Sequence, residues 1–424
     1  MGRISRRGLA VAAVGTFAGV LTLNQASASG PRPRRYAMVA ASQTRGMWIA
    51  TVANIDWPDK PGLSPDEGKA ELSALLDAAV ERKLTAVYLQ VRPTADALWP
   101  SPYEPWSEWL TGVQGQDPGW DPLDYAVREA HARGLALHAW FNPYRVATHD
   151  DPDRLTEEHP ARRHPEWVVS YGGRLYYNPG IPEVRAFVQD AMADAVESYE
   201  IDGVHWDDYF YPYPVAGEEF DDDDAFAAYG GDFDDRGDWR RHNIDLLVRE
   251  MRDRVRATKP GLPFGVSPFA VWRNKETDPL GSDTRAGVQT YDDLYADVRT
   301  WVREGWLDYV VPQAYWHIGN EAADYETVVA WWADVADGTG VDLYIGEALY
   351  KAGDPAQPDA WQDPAELSRH LTLCGEHPQV GGNIFYSAGQ VVSDPIGAMS
   401  RVVADHYDTT AARSAQPTGL GGRP

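Results

Sequence analysis

Between residues 46 and 386, eight short β-prone runs recur at regular intervals, each followed by a helical stretch. The runs are Gly46–Ala53, Ala86–Arg92, Ala136–Phe141, Gly203–Tyr209, Phe264–Phe269, Tyr309–Gln313, Leu343–Ala348 and Asn383–Tyr386. Apolar spacing of three and four predicts helices over Ala70–Arg82, Leu123–Arg133, Ile181–Glu200, Trp239–Thr258, Tyr291–Glu304, Tyr325–Ala336 and Pro364–Cys374. Strand and helix in strict alternation imply a parallel sheet, and eight repeats imply a closed α/β barrel, (β/α)8, with long βα loops. A doubly wound open sheet is the competing architecture. It is disfavoured because Gly46-Met47-Trp48 on the first strand lacks the Gly-x-Gly-x-x-Gly turn that cradles a dinucleotide.

In such a barrel the chemistry sits at the C-terminal ends of the strands. There the chain places polar groups beside Trp and Tyr again and again. The second run ends in Gln90-Val91-Arg92-Pro93 with Asp96 beyond it, and the third in Trp140-Phe141-Asn142-Pro143-Tyr144-Arg145. The fourth reads Asp202-Gly203-Val204-His205-Trp206-Asp207-Asp208-Tyr209, and the fifth leads to Trp272. The sixth gives Gln313-Ala314-Tyr315, and the seventh Gly346-Glu347. Buried acids are rare unless paired or used, so Asp207 and Asp208 stand out. Strand alternation puts His205, Asp207 and Tyr209 on one face and Trp206 and Asp208 on the other. Any one of these residues has a structural alternative: Arg92 or Arg145 alone suits a partner for a barrel acid. Their recurrence at one face argues for a polar, hydroxyl-rich ligand.

Charge narrows the partners. Acids outnumber bases 64 to 38, for a net charge of −26, which disfavours nucleic acid and anionic membrane surfaces. Seventeen Trp and 22 Tyr suit a surface that stacks sugars, although large barrels also bury such rings.

At the N-terminus, Arg3, Arg6 and Arg7 precede the apolar run Gly8–Leu23, and Ala26-Ser27-Ala28 offers a cleavage site before Ser29. Ser5-Arg6-Arg7-Gly8-Leu9 resembles a twin-arginine signal. The expectation is a leader over 1–28, a barrel over 43–405, a disordered tail over 406–424, and an exported chain with no membrane insertion after cleavage. Cys374 is the one cysteine, so no intramolecular disulfide forms. The insertion 213–238, with Asp221 to Asp224, reads as a solvated flexible loop, a calcium site being the alternative.

Taken together, Gln90-Val91-Arg92-Pro93, His138 to Arg145, Asp202 to Tyr209, Val266-Ser267-Pro268-Phe269 and Pro312-Gln313-Ala314-Tyr315-Trp316 resemble a bacterial glycosyl-hydrolase-like barrel family distantly related to the family-ten xylanases. The resemblance covers roughly residues 43–390. It implies a glycosidase acting on a polysaccharide without a cofactor or metal. One branch of that family cuts peptidoglycan glycan strands stripped of their peptides.

Glycoside hydrolysis needs a proton donor and a second carboxylate. Asp207 is the leading catalytic candidate, with Glu347, Asp208 or Asp96 as its partner. Arg92, Asp96, Trp140, Asn142, Tyr144, His205, Tyr209, Trp272, Gln313 and Tyr315 are read as substrate-binding, with His205 flanking Asp207. A catalytically silent carbohydrate-binding barrel is the alternative. A metal-dependent deacetylase is disfavoured by the lack of a matched Asp/His pair near Asp207.

Overall fold

The computed structural model describes residues 43–407. The leader, and the tail from Asp408 on, lie outside them. Eight parallel strands close into a barrel: β1 (Thr44–Ile49), β2 (Ala86–Arg92), β3 (Ala136–Phe141), β4 (Gly203–Trp206), β5 (Phe264–Val266), β6 (Tyr309–Val310), β7 (Asp342–Glu347) and β8 (Val380–Phe385). Closure is made by β8 against β1, with Gly46 opposite Ile384 and Met47 opposite Phe385. This is the (β/α)8 barrel expected from the alternation.

β2 and β3 keep their predicted bounds, whereas β4, β5 and β6 each stop three residues early. Pro268 and Pro312 explain two of these, since proline has no N–H to give to a ladder. Past the stops the sheet survives only as single bridges, Phe269 to Gln313 and Gln313 to Gly346.

The helices begin where capping chemistry allows. Ser64 accepts from the Glu67 backbone N–H while the Glu67 side chain returns to Ser64, so Pro65–Glu81 starts five residues before its apolar periodicity. Its Leu72, Leu76 and Ala79 face the sheet. The predicted helix Tyr291–Glu304 is instead two short pieces, Thr290–Asp293 and Val298–Arg303. Tyr295 between them adopts φ +52°, and Asp297 caps the second piece through Thr300.

Two apolar layers follow from strand alternation. Outward side chains pack under the helices. Inward ones, including Trp48, Tyr88, Trp140, Tyr309 and Ile384, fill the lumen. Gly203 is required at this level because a Cβ there would lie 2.2 Å from His138 Nδ1.

The loop after β3 carries a three-stranded antiparallel sheet, Arg145–Ala147, Val168–Tyr171 and Arg174–Tyr177, that the periodicity does not announce. Gly172 and Gly173, at φ +58° and +70°, make the two-residue turn between its last two strands.

The insertion after β4 is largely exposed, as expected, but it is anchored and in part helical. Asp222 is buried, accepts from Arg240 Nη2 at 2.6 Å and Nε at 2.8 Å, and also takes Arg236. Asp223 starts a helix, Asp223–Tyr229. Among the described residues no group of His, Cys, Asp and Glu is arranged to hold a metal ion. None of their helices is long and apolar enough to cross a membrane. The barrel also reaches past residue 405, correcting the expected start of the tail. His406 bonds the Ser368 carbonyl at 2.9 Å, and Tyr407 lies buried beneath the Arg45 guanidinium.

Candidate active site

A cavity of about 600 Å³ opens at the C-terminal ends of the strands. Asp207 and Asp208 are its carboxylates among the described residues, and Trp48, Trp140, Tyr209 and Tyr315 are among its aromatic walls. A second cavity of about 610 Å³ lies beneath the β4 insertion. There Asp223 pairs with Arg236 and Asp292 with Arg273, so much of its acidity is already neutralised.

β4 delivers the two acids. Gly203 and His205 face the lumen, and Asp207 continues that face. The Asp207 carboxylate accepts from Trp140 Nε1 at 3.1 Å, and both of its oxygens accept from Asn142 Nδ2 at 3.1 Å. Asn142 is itself fixed, since its Oδ1 accepts the Arg145 backbone N–H at 2.9 Å. Alternation would have sent Asp208 to the outer face. The strand ends at Trp206, so the alternation no longer applies, and Asp208 also turns to the cavity. Its carboxylate accepts from the Tyr213 hydroxyl and from Gln313 Nε2 at 3.0 Å.

Burial and the charge of Asp208 push the Asp207 carboxyl up to about 6, against Arg145, Asn142 and Trp140, which favour its ionised form. Burial also raises Asp208, opposed by Tyr213 and Gln313. Two adjacent carboxyls buried at one cavity do not ionise independently. Both carboxyls are held above the usual carboxylate range, and acids shifted in this way can give a proton and accept one.

His205 does not hold Asp207. It is fully buried below the cavity, where Nε2 accepts from Trp48 Nε1 at 3.0 Å and Nδ1 meets the Tyr309 hydroxyl at 3.1 Å. The Trp48 donor makes Nε2 the acceptor and leaves the proton on Nδ1. Burial pushes His205 well below its usual pKa and takes neighbouring His138 down to about 4. These imidazoles are neutral struts of the lumen.

Five other predicted site residues are also kept from the cavity. Glu347 ends β7 on the outward face, fully buried. It accepts from the Tyr325 hydroxyl at 2.6 Å and Asn383 Nδ2 at 2.7 Å, and meets His370 Nδ1 at 2.9 Å. Arg92 is ion-paired with Glu104 at zero exposure. Asp96 is buried and accepts from the Thr94 backbone N–H and hydroxyl, both at 3.1 Å. Tyr144 is fully buried. Trp272 gives its indole N–H to Asp297 and stacks on Trp331. Of the substrate-binding candidates, Trp140, Tyr209, Gln313 and Tyr315 line the cavity, while Asn142 stands behind Asp207.

Sequence reasoning missed several lining residues. Trp48 and Gln90 share the lumen-facing parity of Gly46 and Tyr88, which could have flagged them. Gln90 Oε1 accepts the backbone N–H groups of Thr51 and Val52, each at 3.0 Å, and its Nε2 has no partner among the described residues. Arg145 lies over the Tyr209 ring at 4.9 Å, and Lys351 donates to the Tyr315 carbonyl at 2.7 Å. Tyr386 ends the eighth β-prone run and could have been flagged, whereas Tyr213 and Tyr350 lie beyond their strands, where no periodicity points to them.

Likeness to known proteins agrees with this geometry. The chain is 48% identical over 371 residues to the glycosyl hydrolase YngK of Bacillus subtilis (strain 168), spanning 87% of this chain and 72% of that one. It is 39% identical over 379 residues to the glycosyl hydrolase DigH of Escherichia coli (strain K12), covering 84% and 86%. Among solved structures, the PgaB (BpsB) glycoside hydrolase domain of Bordetella bronchiseptica aligns over 85% of this chain and 98% of its own, with a TM-score of 0.57 at 14% identity. That last likeness speaks to fold alone. A model of the family described as glycosyl hydrolase-like 10 matches residues 43–363. With a closed barrel, a paired-carboxylate cleft and relatives at this identity, the chain belongs to the glycosyl hydrolase-like 10 family.

Proposed function

We propose that this glycoside hydrolase is exported and cleaves glycosidic bonds within a polysaccharide, with peptide-stripped peptidoglycan strands as the substrate, using Asp207 and Asp208 as its acid/base pair. The observation that carries the reading is the carboxylate pair at the floor of a cavity walled by Trp140, Tyr209 and Tyr315. Sugar rings stack on such walls, and a carboxyl that keeps its proton above the usual range serves departure of the leaving oxygen. Gln313 and Tyr213 hold Asp208, and Asn142 and Trp140 hold Asp207, so the pair is fixed before substrate arrives.

The test is to incubate the mature protein with intact and with peptide-stripped peptidoglycan and to weigh the soluble products. Cleavage of the stripped strands into short oligosaccharides is expected, and cleavage of intact peptidoglycan alone would refute the substrate. Export is tested by sequencing the N-terminus of secreted protein, which should begin near Ser29. Recovery of a chain that still starts at Met1 would refute it.

A further inference from the structure

A two-carboxylate glycosidase sets one acid against another across the sugar, but among the described residues no strand other than β4 brings a carboxylate to this cavity. Such enzymes hold their carboxyls on opposite faces of the sugar, roughly 5–5.5 Å apart for a nucleophile or 6.5–9.5 Å for a water-activating base. Here the cavity's carboxylates among the described residues are adjacent in the chain and leave one strand end. Every other acid considered is occupied elsewhere. Glu347 faces the helix layer among Tyr325, His370 and Asn383, and Glu104 pairs with Arg92. Asp96 accepts from Thr94. Asp56 accepts from the Ala50 and Gly389 backbone N–H groups and the Ser387 hydroxyl.

We infer that the nucleophile comes from the substrate, and that the enzyme acts on a 2-acetamido sugar whose own carbonyl oxygen attacks C1 while the Asp207–Asp208 pair manages the protons. The inference rests on the reading of that pair as the acid/base machinery. In the first step the protonated carboxyl gives its proton to the glycosidic oxygen, and the C1–O bond breaks. The acetamido oxygen bonds to C1, closing an oxazolinium ring whose N–H proton is held by the ionised carboxylate. In the second step water gives a proton to the first carboxylate and adds to C1. The ring opens, the acetamido group is restored, and the pair returns to its starting state. One water is consumed, and two inversions at C1 leave the anomeric configuration retained.

Other features of the cavity fit this chemistry. A neighbouring-group mechanism asks for one proton donor and one N–H acceptor in the same cavity, and Asp207 and Asp208, both lining it from the end of β4, can divide these roles. Gln90 is also among the cavity's lining residues, its Oε1 fixed by the backbone N–H groups of Thr51 and Val52. Trp48 and Trp140 give the apolar wall that an acetyl methyl requires.

The experiment uses peptide-stripped glycan strands that have been de-N-acetylated and then either re-acetylated or trifluoroacetylated. Fluorine withdraws electrons from the carbonyl oxygen, so it weakens the nucleophile most where that oxygen attacks C1, in the transition state, and the fall appears in kcat rather than in KM. We expect kcat to fall at least about tenfold on the trifluoroacetylated strands with KM little changed. Re-acetylated strands should restore the native rate, and the first-formed product should keep the substrate's anomeric configuration by NMR. An unchanged kcat on the trifluoroacetylated strands, or an inverted product, overturns participation while leaving the glycosidase reading intact. Failure to cleave even the re-acetylated strands overturns both.

Discussion

Asn142 gives one amide nitrogen to both oxygens of Asp207, each at 3.1 Å, while its own carbonyl oxygen is taken by the Arg145 backbone N–H. The amide therefore cannot flip without losing a hydrogen bond, and Asp207 meets a donor whose direction is set by the turn after β3. A carboxylate held in this way has its rotamer set before any substrate binds.

Asn142→Ala removes a donor that favours ionised Asp207. The carboxyl, which sits at about 6, then moves up. In a pH–rate profile the limb governed by the pair should shift to higher pH, by up to roughly one unit for one lost hydrogen bond. A limb that stays in place, or moves down, contradicts the role given to Asn142.

Tyr350, at the cavity rim and 38% exposed, packs edge-on to Tyr315 and Tyr386 at 5.9 Å. Tyr350→Ala should remove about 1 kcal/mol of sugar stacking. That is roughly a fivefold rise in KM, with kcat held. An unchanged KM would exclude this wall from the binding surface.

Glu347→Gln tests a residue that the sequence offered as catalytic and the structure places in the helix layer. Breaking a buried pair on one side costs on the order of 3 kcal/mol, so the variant should melt earlier while its folded fraction keeps kcat. A large loss of kcat at unchanged stability would return Glu347 to the chemistry. Burial by itself would lower His370, but Glu347 and Glu366 outweigh it and raise its pKa above 6.5. The stabilisation they confer is complete below that value and fades as pH rises through the folded-state pKa. Denaturant titrations from pH 6 upward should show this decline, and Glu347→Gln should flatten it.

The barrel was legible because its signal is periodic: eight runs, seven helices between them, and a last strand whose register returns to Gly46. The strand bounds failed where proline or function interrupts the ladder, at Pro268, Pro312 and Asp207. The site was legible only in part. Type and position marked Asp207, Asp208, Trp140, Tyr209, Gln313 and Tyr315, but facing is decided by parity, and parity was not applied to β7. Gly346 faces inward near the Trp48 ring, which sends its neighbour Glu347 outward. Arg92, Asp96 and Tyr144 failed because a buried polar side chain at a strand end serves a structural partner as readily as a ligand. Glu104, the partner of Arg92, lies twelve residues on, beyond any local pattern. The sheet at Arg145–Ala147, Val168–Tyr171 and Arg174–Tyr177 leaves its only local trace in the Gly172-Gly173 turn between β-prone residues.

The most direct test of the account is the release of new reducing ends from peptide-stripped glycan strands by the wild-type protein and by Asp207→Asn, with melting curves for both. The substitution keeps the size of the side chain and removes its proton chemistry. The account predicts steady release by the wild type and a rate lower by roughly 10³-fold or more in a variant that folds and binds as before. Equal rates from the two proteins would contradict it.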